Sequence, residues 1–328
     1  MSRYMVKRLL NMIPILLIAT LISFLIMHNA PGGPENMFLG AEQNAEVDAS
    51  RLSALREKWG LNDPLPVQYY RWVKNATAGD LGYSYFQRRA VTEVIAEALP
   101  KTLELSLIVL VLTYVIAIPL GVISAVRQYS RFDYLVTGIA FVGQAAPVFW
   151  IAMLLQYGVA MHSGGLIPVS GFSSPMVDFS SYGWLSVIGD RLRFLFLPVV
   201  TATFTGLTGL TRYMRSSMLE VLKEDYTRTA RAKGLPEKLV IYKHALRNAL
   251  LPIVTISGGI LASLVSGSVI LETVFSWPGI GRVGYEAVVG RDYPVSMGIL
   301  LMGTILTLLG FLLVDIAYVF VDPRIKYD

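Results

Sequence analysis

Residues 212–249 read RYMRSSMLEVLKEDYTRTARAKGLPEKLVIYKHALRNA, and the reading of this stretch decides the fold. Nine Lys and Arg lie between Arg212 and Arg247. On either side the chain turns apolar, at Phe194–Leu210 before it and at Leu250–Leu271 after it. A basic, helix-patterned segment between two apolar runs is what a membrane protein places at its cytoplasmic face, because Lys and Arg are retained on that side.

The whole chain supports this. Of 328 residues, 54% are hydrophobic and 16% are charged. A soluble domain carries about 25% charged residues, so this chain lacks the charge to cover a water-facing surface. A hydrocarbon core about 30 Å thick needs about 20 apolar residues in a helix. Six stretches qualify: Leu9–Met27, Leu103–Ala125, Leu135–Met161, Phe194–Leu210, Leu250–Leu271 and Val295–Phe320. The first has a basic start (Arg3, Lys7, Arg8), but His28-Asn29-Ala30-Pro31 fits a cleavage site poorly, so an uncleaved first span is expected. The expectation is an all-α, polytopic membrane protein with six transmembrane helices and both termini cytoplasmic. Its expected parts are 1–28 (N-terminus and first helix), an extracytoplasmic segment 29–102, a core membrane domain 103–320 that includes the 212–249 loop, and a tail 321–328.

Composition removes several function classes. With no Cys there are no thiolate metal sites or Cys nucleophiles. His28, His162 and His244 lie far apart, without metal-ligand spacing. No Gly-rich phosphate loop ends in Lys-Ser or Lys-Thr, so neither ATP hydrolysis nor a bound cofactor is expected. No His-Glu-x-x-His or Gly-x-Ser-x-Gly supports an intramembrane enzyme. No chain of acids and histidines crosses the spans, as a proton-driven carrier often needs. The net charge of +5 reads as membrane topology rather than nucleic-acid binding.

Within 212–249, apolar periodicity marks a helix through Met214, Met218, Leu219 and Leu222. A short helix follows near Tyr226–Lys233. Gly234 suits the left-handed residue that ends it, and Pro236 suits the first turn of a helix over Glu237–Leu246. Small residues at Thr229, Ala230 and Ala232 let a helix backbone sit deep in a partner's groove. Arg228, Arg231 and Lys233 can pair with acids at its rim, or can simply hold topology and touch lipid headgroups.

Thr229-Ala230-Arg231-Ala232-Lys233-Gly234, followed by Arg247-Asn248-Ala249-Leu250-Leu251-Pro252, resembles the EAA loop of ABC importer permeases. In that family the loop forms a coupling helix seated in a cleft of the cytoplasmic ATPase subunit. The resemblance implies that role for Tyr226, Arg228, Thr229, Ala230, Arg231, Ala232, Lys233 and Gly234. Arg228 stands where the family has its leading Glu, and Arg247 follows Leu246 where the family has Pro, so the Glu salt bridge is not carried over. Further segments narrow the resemblance to the B-type permease subunit of dipeptide and oligopeptide importers. They are Lys7-Arg8-Leu9-Leu10 through Ala30-Pro31-Gly32, Leu61-Asn62-Asp63-Pro64-Leu65-Pro66-Val67-Gln68-Tyr69, Gly79-Asp80-Leu81-Gly82 and Leu99-Pro100-Lys101-Thr102-Leu103-Glu104-Leu105. Beyond these come Leu166-Ile167-Pro168-Val169-Ser170-Gly171, Glu272-Thr273-Val274-Phe275-Ser276-Trp277-Pro278-Gly279-Ile280-Gly281-Arg282 and Arg291-Asp292-Tyr293-Pro294.

The resemblance implies a type I ABC importer permease fold and alternating access. It implies as partners a second homologous permease, two ATP-binding subunits, an extracytoplasmic solute-binding protein and the lipid bilayer, with peptide as cargo. The same subfamily includes importers of nickel, glutathione and oligosaccharides, so these remain alternatives, with a self-powered secondary carrier behind them.

The remaining signals concern a pathway and the outer segment. Pro119 and Pro147 each free a carbonyl one turn earlier, which hydrocarbon tolerates where neighbours or cavity water satisfy it. Gln144 lies one turn before Pro147. Gly259, Ser263 and Gly267 recur every four residues, and so do Gly258, Ala262 and Ser266, either for tight packing or for a cavity. Asp315 is the acid well inside a predicted span. Gln144, Pro147, Ser263 and Asp315 are therefore the pathway candidates. In the outer segment a short helix is expected with Val67, Tyr70, Trp72 and Val73 as its apolar face. It serves either as a structured connector or as a docking surface.

Overall fold

A computed structural model describes residues 2–29, 53–54, 56–57, 59–174 and 183–321, without the side chains of 2–7, 255, 257–263, 265–266 and 313–321. The architecture is helical. In chain order the elements are α1 (Ser2–Asn29), α2 (Leu65–Thr77), α3 (Val91–Val126), α4 (Arg131–Ala145) and α5 (Val148–Leu155), which runs into a π-helical turn over Gln156–Ala160. They continue with α6 (Trp184–Val221), α7 (Asp225–Ala232), a single turn at Glu237–Leu239, a π-helical turn at Val240–Ala245 and α8 (Leu246–Ser266). The last three are α9 (Val269–Val274), α10 (Ile280–Val289) and α11 (Tyr293–Val321).

Among the described residues, four helices are long and apolar enough to cross a membrane: Arg8–Asn29, Val91–Val126, Trp184–Val221 and Tyr293–Leu312. The bent pair Arg131–Ala145 and Val148–Ala160 makes a fifth, and the 21-residue α8 occupies the remaining predicted stretch. Large apolar side chains such as Val115, Leu135 and Val142 are more than half exposed. At about 25 cal/mol per Å² such surfaces belong in lipid rather than water.

Four predicted spans differ from their sequence reading, the second by starting twelve residues early, at Val91. The third is broken: α4 and α5 meet at 105°. Ala146, the residue before Pro147, is extended (ψ 129°), as the proline ring requires of its predecessor. Pro119, by contrast, lies inside an unbroken 36-residue α3. The fourth span begins ten residues early, at Trp184, because the charges that hide it are satisfied. Asp190 accepts from the Ser174 amide (3.0 Å), Arg191 pairs with Glu104 (3.0 Å), and Arg193 donates to the carbonyls of Leu166 and Gly165 (both 2.7 Å). That same helix runs on through Met214 and Met218 to Val221, so the helix expected in the loop is the end of α6. The fifth stops at Ser266, because Gly267 takes φ +67°.

The α3–α6 pair is the most extensive helix contact, and α11 packs on both α8 and α1. Gly121 permits the α3–α6 crossing: a Cβ there would lie 2.6 Å from Met214 Cβ and 2.9 Å from the Thr211 carbonyl. Met214 and Met218 are fully buried in one apolar cluster with Ala117, Val122, Ile241, Ala245 and Ala249. Phe275 and Trp277 anchor a second cluster with Leu105, Leu195 and Leu197.

In the outer segment α2 keeps half of the expected face: Trp72 and Val73 are half-buried, as expected. Val67 and Tyr70 are exposed, and the inward side carries Gln68, Tyr69 and Trp72. Tyr69 Oη donates to the Leu17 carbonyl (2.9 Å), and His28 Nε2 meets Gln68 Oε1 (3.2 Å). The contact to α1 is thus made by polar tips on aromatic bodies, which an apolar count does not register. Gln68 Nε2 also donates to the carbonyls of Leu61 and Asp63, bracing the Asn62–Pro66 turn.

Candidate coupling site and the polar cavity beside it

Helix α7 is eight residues long and stands between α6 and the Val240–Ala245 turn. Its N-cap, Glu224, is extended, and Asp225 in the first turn favours the positive end of the helix dipole. At the far end Gly234 takes φ +73°, where a β-carbon would be strained. The amides of Lys233 and Gly234 donate to Thr229 (3.1 Å) and Arg231 (2.9 Å), which closes the helix. Pro236 is the N-cap of the next turn rather than a residue inside it. That turn passes through the π segment into α8 without a gap, where a separate helix ending at Leu246 was expected.

Two residues one turn apart, Thr227 and Ala230, are buried. Thr227 Oγ1 donates to the Val221 carbonyl (2.9 Å), tying α7 to the last residue of α6. The α7 backbone packs on the Val240–Ala245 turn, whose Val240 and Ala245 are fully buried. The opposite face is exposed: Tyr226, Arg228, Thr229, Arg231, Ala232, Lys233 and Gly234. Arg231, expected to reach a partner, is held within the chain by Glu237 through Nη2 (2.9 Å) and Nε (3.2 Å). That hydrogen bond lowers the Glu237 carboxyl below its usual range and raises Arg231 above its own. Arg228 is 3.6 Å from Asp225, and both are open to solvent. Among the described residues, Lys233 has no ion-pair partner.

Nine residues back along α6, a cavity of about 530 Å³ opens between α4 and α6, lined by Thr137, Phe141, Gln144, Arg212, Tyr213 and Ser216 among others. Two arginines border it and are treated differently. Arg215 grips the buried Asp133 with both arms, Nε to Oδ1 at 2.6 Å and Nη2 to Oδ2 at 2.7 Å. Asp133 also accepts from Ser124 and from the Tyr129 amide (2.9 Å). Arg212 has no carboxylate among the described residues. Its Nη1 donates to Gln144 Oε1, and its guanidinium lies 4.6 Å from the Phe141 ring centre.

At the other end of α8, Glu272 is buried with every oxygen engaged. Oε1 accepts from Thr102 Oγ1 (3.1 Å) and Oε2 from the Arg282 amide (2.9 Å). Gly267, Gly279 and Gly281 press against it. Added β-carbons would lie 2.6, 2.7 and 3.0 Å from its carboxyl atoms. The Thr102 hydroxyl in turn accepts from the Ile280 amide (2.7 Å), and Trp277 Nε1 donates to the Lys101 carbonyl (2.9 Å). The segment Glu272–Arg282 is thus tied to α3. Gly267 serves this knot rather than a stripe of helix contacts.

Of the predicted pathway residues, Gln144 lines the cavity and Pro147 makes the bend just beyond it. Ser263 and Asp315 lie on α8 and α11, and their side chains are outside the described residues. Asp133, Arg212, Arg215 and Thr227 were not singled out from sequence. The signal was two arginines three apart at the end of an apolar run, one helical turn, which places them on one face.

A bundle of long apolar helices with one short, exposed helix mounted at its end defines a multi-pass membrane protein. The chain belongs to the family of binding-protein-dependent transport system inner membrane components. Residues 117–327 match that family's model, and residues 1–106 match the model for the N-terminal part of such membrane components. It is 41% identical over 328 residues to the oligopeptide transport system permease protein AppB of Bacillus subtilis, with both chains covered in full. It is 39% identical to the dipeptide transport system permease protein DppB of Alkalihalophilus pseudofirmus, again over the whole of both chains. To the DppB of Escherichia coli it is 38% identical, over 100% of this chain and 99% of that one. A chain of the MetNI methionine ABC transporter, solved in inward-facing conformations, shares the fold at a TM-score of 0.55. That match has 18% identity and covers 70% of this chain and 97% of the other.

Proposed function

We propose that this chain is one permease of an ATP-driven importer that carries di- or oligopeptides across the cytoplasmic membrane, with both termini inside. ATP hydrolysis takes place on two partner subunits, a second homologous permease completes the pathway, and a solute-binding protein delivers cargo at the outer face. Peptide is the cargo named for the full-length relatives at about 40% identity. The observation that carries the coupling role is the two-sided construction of α7. Its inner face is fixed by Thr227 and Ala230, and its outer face, through Tyr226, Arg228, Thr229, Ala232 and Lys233, is left uncovered.

The mechanism follows from the mounting. A partner closing on the outer face of α7 pushes on the Val240–Ala245 turn and, through Thr227, on the end of α6. Helices are stiff along their axes, so the displacement passes along α6 and α8 to the membrane interior. The α4–α5 bend at Pro147, where the backbone is already broken, is the compliant point. Reversing Arg228 and Lys233 together (R228E/K233E) is expected to leave the protein folded. It should release the ATPase subunits on purification and reduce ATP-dependent peptide uptake in vesicles by about tenfold or more, the equivalent of one lost charge-assisted contact. Retention of both assembly and uptake contradicts the coupling role of α7.

A further inference from the structure

We propose that Arg212 is a docking point for the terminal carboxylate of cargo on its way through the permease. The inference rests on the peptide reading above and adds a specific subsite to it.

The argument begins with the contrast between Arg215 and Arg212. Both guanidinium groups border one cavity, and the fold neutralises only one of them. Arg215 is matched to a buried carboxylate in a two-armed pair. Arg212, with no carboxylate among the described residues, is instead oriented. Phe141 supports its plane, and Gln144 takes a single N–H. Nε and Nη2 remain as donors. A guanidinium offers its donors in a fixed fork that matches the two oxygens of a carboxylate. Arg212 is exposed, so the fork stands open to an arriving anion without displacing a carboxylate of the fold.

The surroundings fit such a visitor. Thr137, Tyr213 and Ser216 line the same cavity with hydroxyls, which donate to anionic oxygen, and no acid is among the lining residues. The volume, about 530 Å³, accommodates the end of a short peptide. Gly209 and Tyr213 also border a second, largely apolar cavity of about 480 Å³ between α3, α6 and α8, so side-chain room lies next to the anion subsite. The subsite is also well placed for release. Arg212 and Val221, whose carbonyl holds Thr227, share one helix, so movement of α7 reaches the cavity through about 14 Å of rigid backbone.

The test uses the complete transporter in vesicles, loaded through its binding protein with trialanine or with trialanine C-terminal amide. The ratio of the two uptakes is compared between wild type, Arg212→Gln and Arg212→Lys. Because the binding protein is the same in every arm, its own preference cancels. The expected result is a fall of about tenfold in the acid-to-amide ratio for Arg212→Gln, as for loss of a charge-assisted pair. Arg212→Lys, which keeps the charge without the fork, should lie between. Retained uptake of the amide shows that the variant is assembled. An equal fall for both peptides in both variants overturns the subsite. If that fall follows the anionic lipid content of the vesicle, Arg212 serves headgroup phosphate. If it does not, Arg212 pairs with an acid of a partner chain. Unchanged uptake of both peptides also overturns it. A wild-type transporter that accumulates neither peptide defeats the peptide reading and the subsite together, whereas normal uptake with an unaltered ratio defeats the subsite alone.

Discussion

The knot around Glu272 and the helix α7 stand at opposite ends of α8, and they use polar residues in opposite ways. Around Glu272 each described polar group is turned inward: the carboxylate, the Thr102 hydroxyl, the Trp277 indole and the backbone amides satisfy one another, and glycines remove every intervening side chain. On α7 Thr227 and Ala230 face inward, Arg231 is met by Glu237, and Tyr226, Arg228, Thr229, Ala232 and Lys233 are exposed. A charged residue whose partners are complete within the fold is structural, while an exposed one is free to meet another molecule. Both segments carry motifs of the permease resemblance, and only their packing separates the two roles.

The comparison breaks most easily at the knot. Gly267→Ala puts a β-carbon at φ +67° and 2.6 Å from Glu272 Oε1. It is expected to cost about 4 kcal/mol or more, as strain and overpacking combine. The readout is thermal unfolding of the detergent-solubilised complex, and most of the protein should fail to reach the membrane. If Gly267→Ala is as stable as the parent, the knot is not what holds this end together.

A smaller effect is expected at the mount of α7. Thr227→Val keeps the shape and removes the hydrogen bond to the Val221 carbonyl, which keeps only the longer bond from the Glu224 amide (3.2 Å). About 1 kcal/mol of stability should be lost, with a larger loss of ATP-driven uptake, because the link between α7 and α6 is loosened. Equal proportional losses in stability and coupling would place Thr227 among ordinary core residues.

The smallest effect belongs to the Arg231–Glu237 pair. Both partners are more than two-fifths exposed, so the pair contributes little to stability at neutral pH. Arg231 depresses the Glu237 carboxyl, so its contribution is present above the ordinary Glu pKa of about 4.3 and lost as pH falls through the lower, folded value. The stability difference between wild type and Glu237→Gln should therefore be flat from pH 6 to 8 and shrink only under strongly acidic conditions. A difference that changes near neutrality would point to another titrating partner.

Much of this was legible in the sequence. The long apolar runs, Gly234 as a helix end and the short helix before it were all readable, because each depends on local pattern. What was hidden depended on distant partners. The fourth span is masked in the sequence by Asp190, Arg191 and Arg193, whose charges are met by Ser174, Glu104 and two carbonyls. Pro119 and Pro147 look alike in a window, yet only Pro147 breaks its helix, at the extended Ala146. The motif from Glu272 to Arg282 was recognisable as a string, but its reason is a threonine 170 positions earlier. Arg212 and Arg215 counted equally as basic residues until Asp133 was seen to take one of them.

The central claim is that α7 is seated in another protein. The chain contains no cysteine, so a single exposed thiol introduced by Ala232→Cys reports on that face alone. Its rate of reaction with a maleimide is to be measured in the purified permease pair, with and without cysteine-free ATPase subunits. Tyr83→Cys, beyond the opposite end of the helices, serves as the reference. The account predicts that the ATPase slows labelling at 232 by about tenfold or more and leaves position 83 unaffected, since a seated helix is closed to solvent. Equal labelling at 232 with and without the ATPase, through nucleotide binding and hydrolysis, would contradict it.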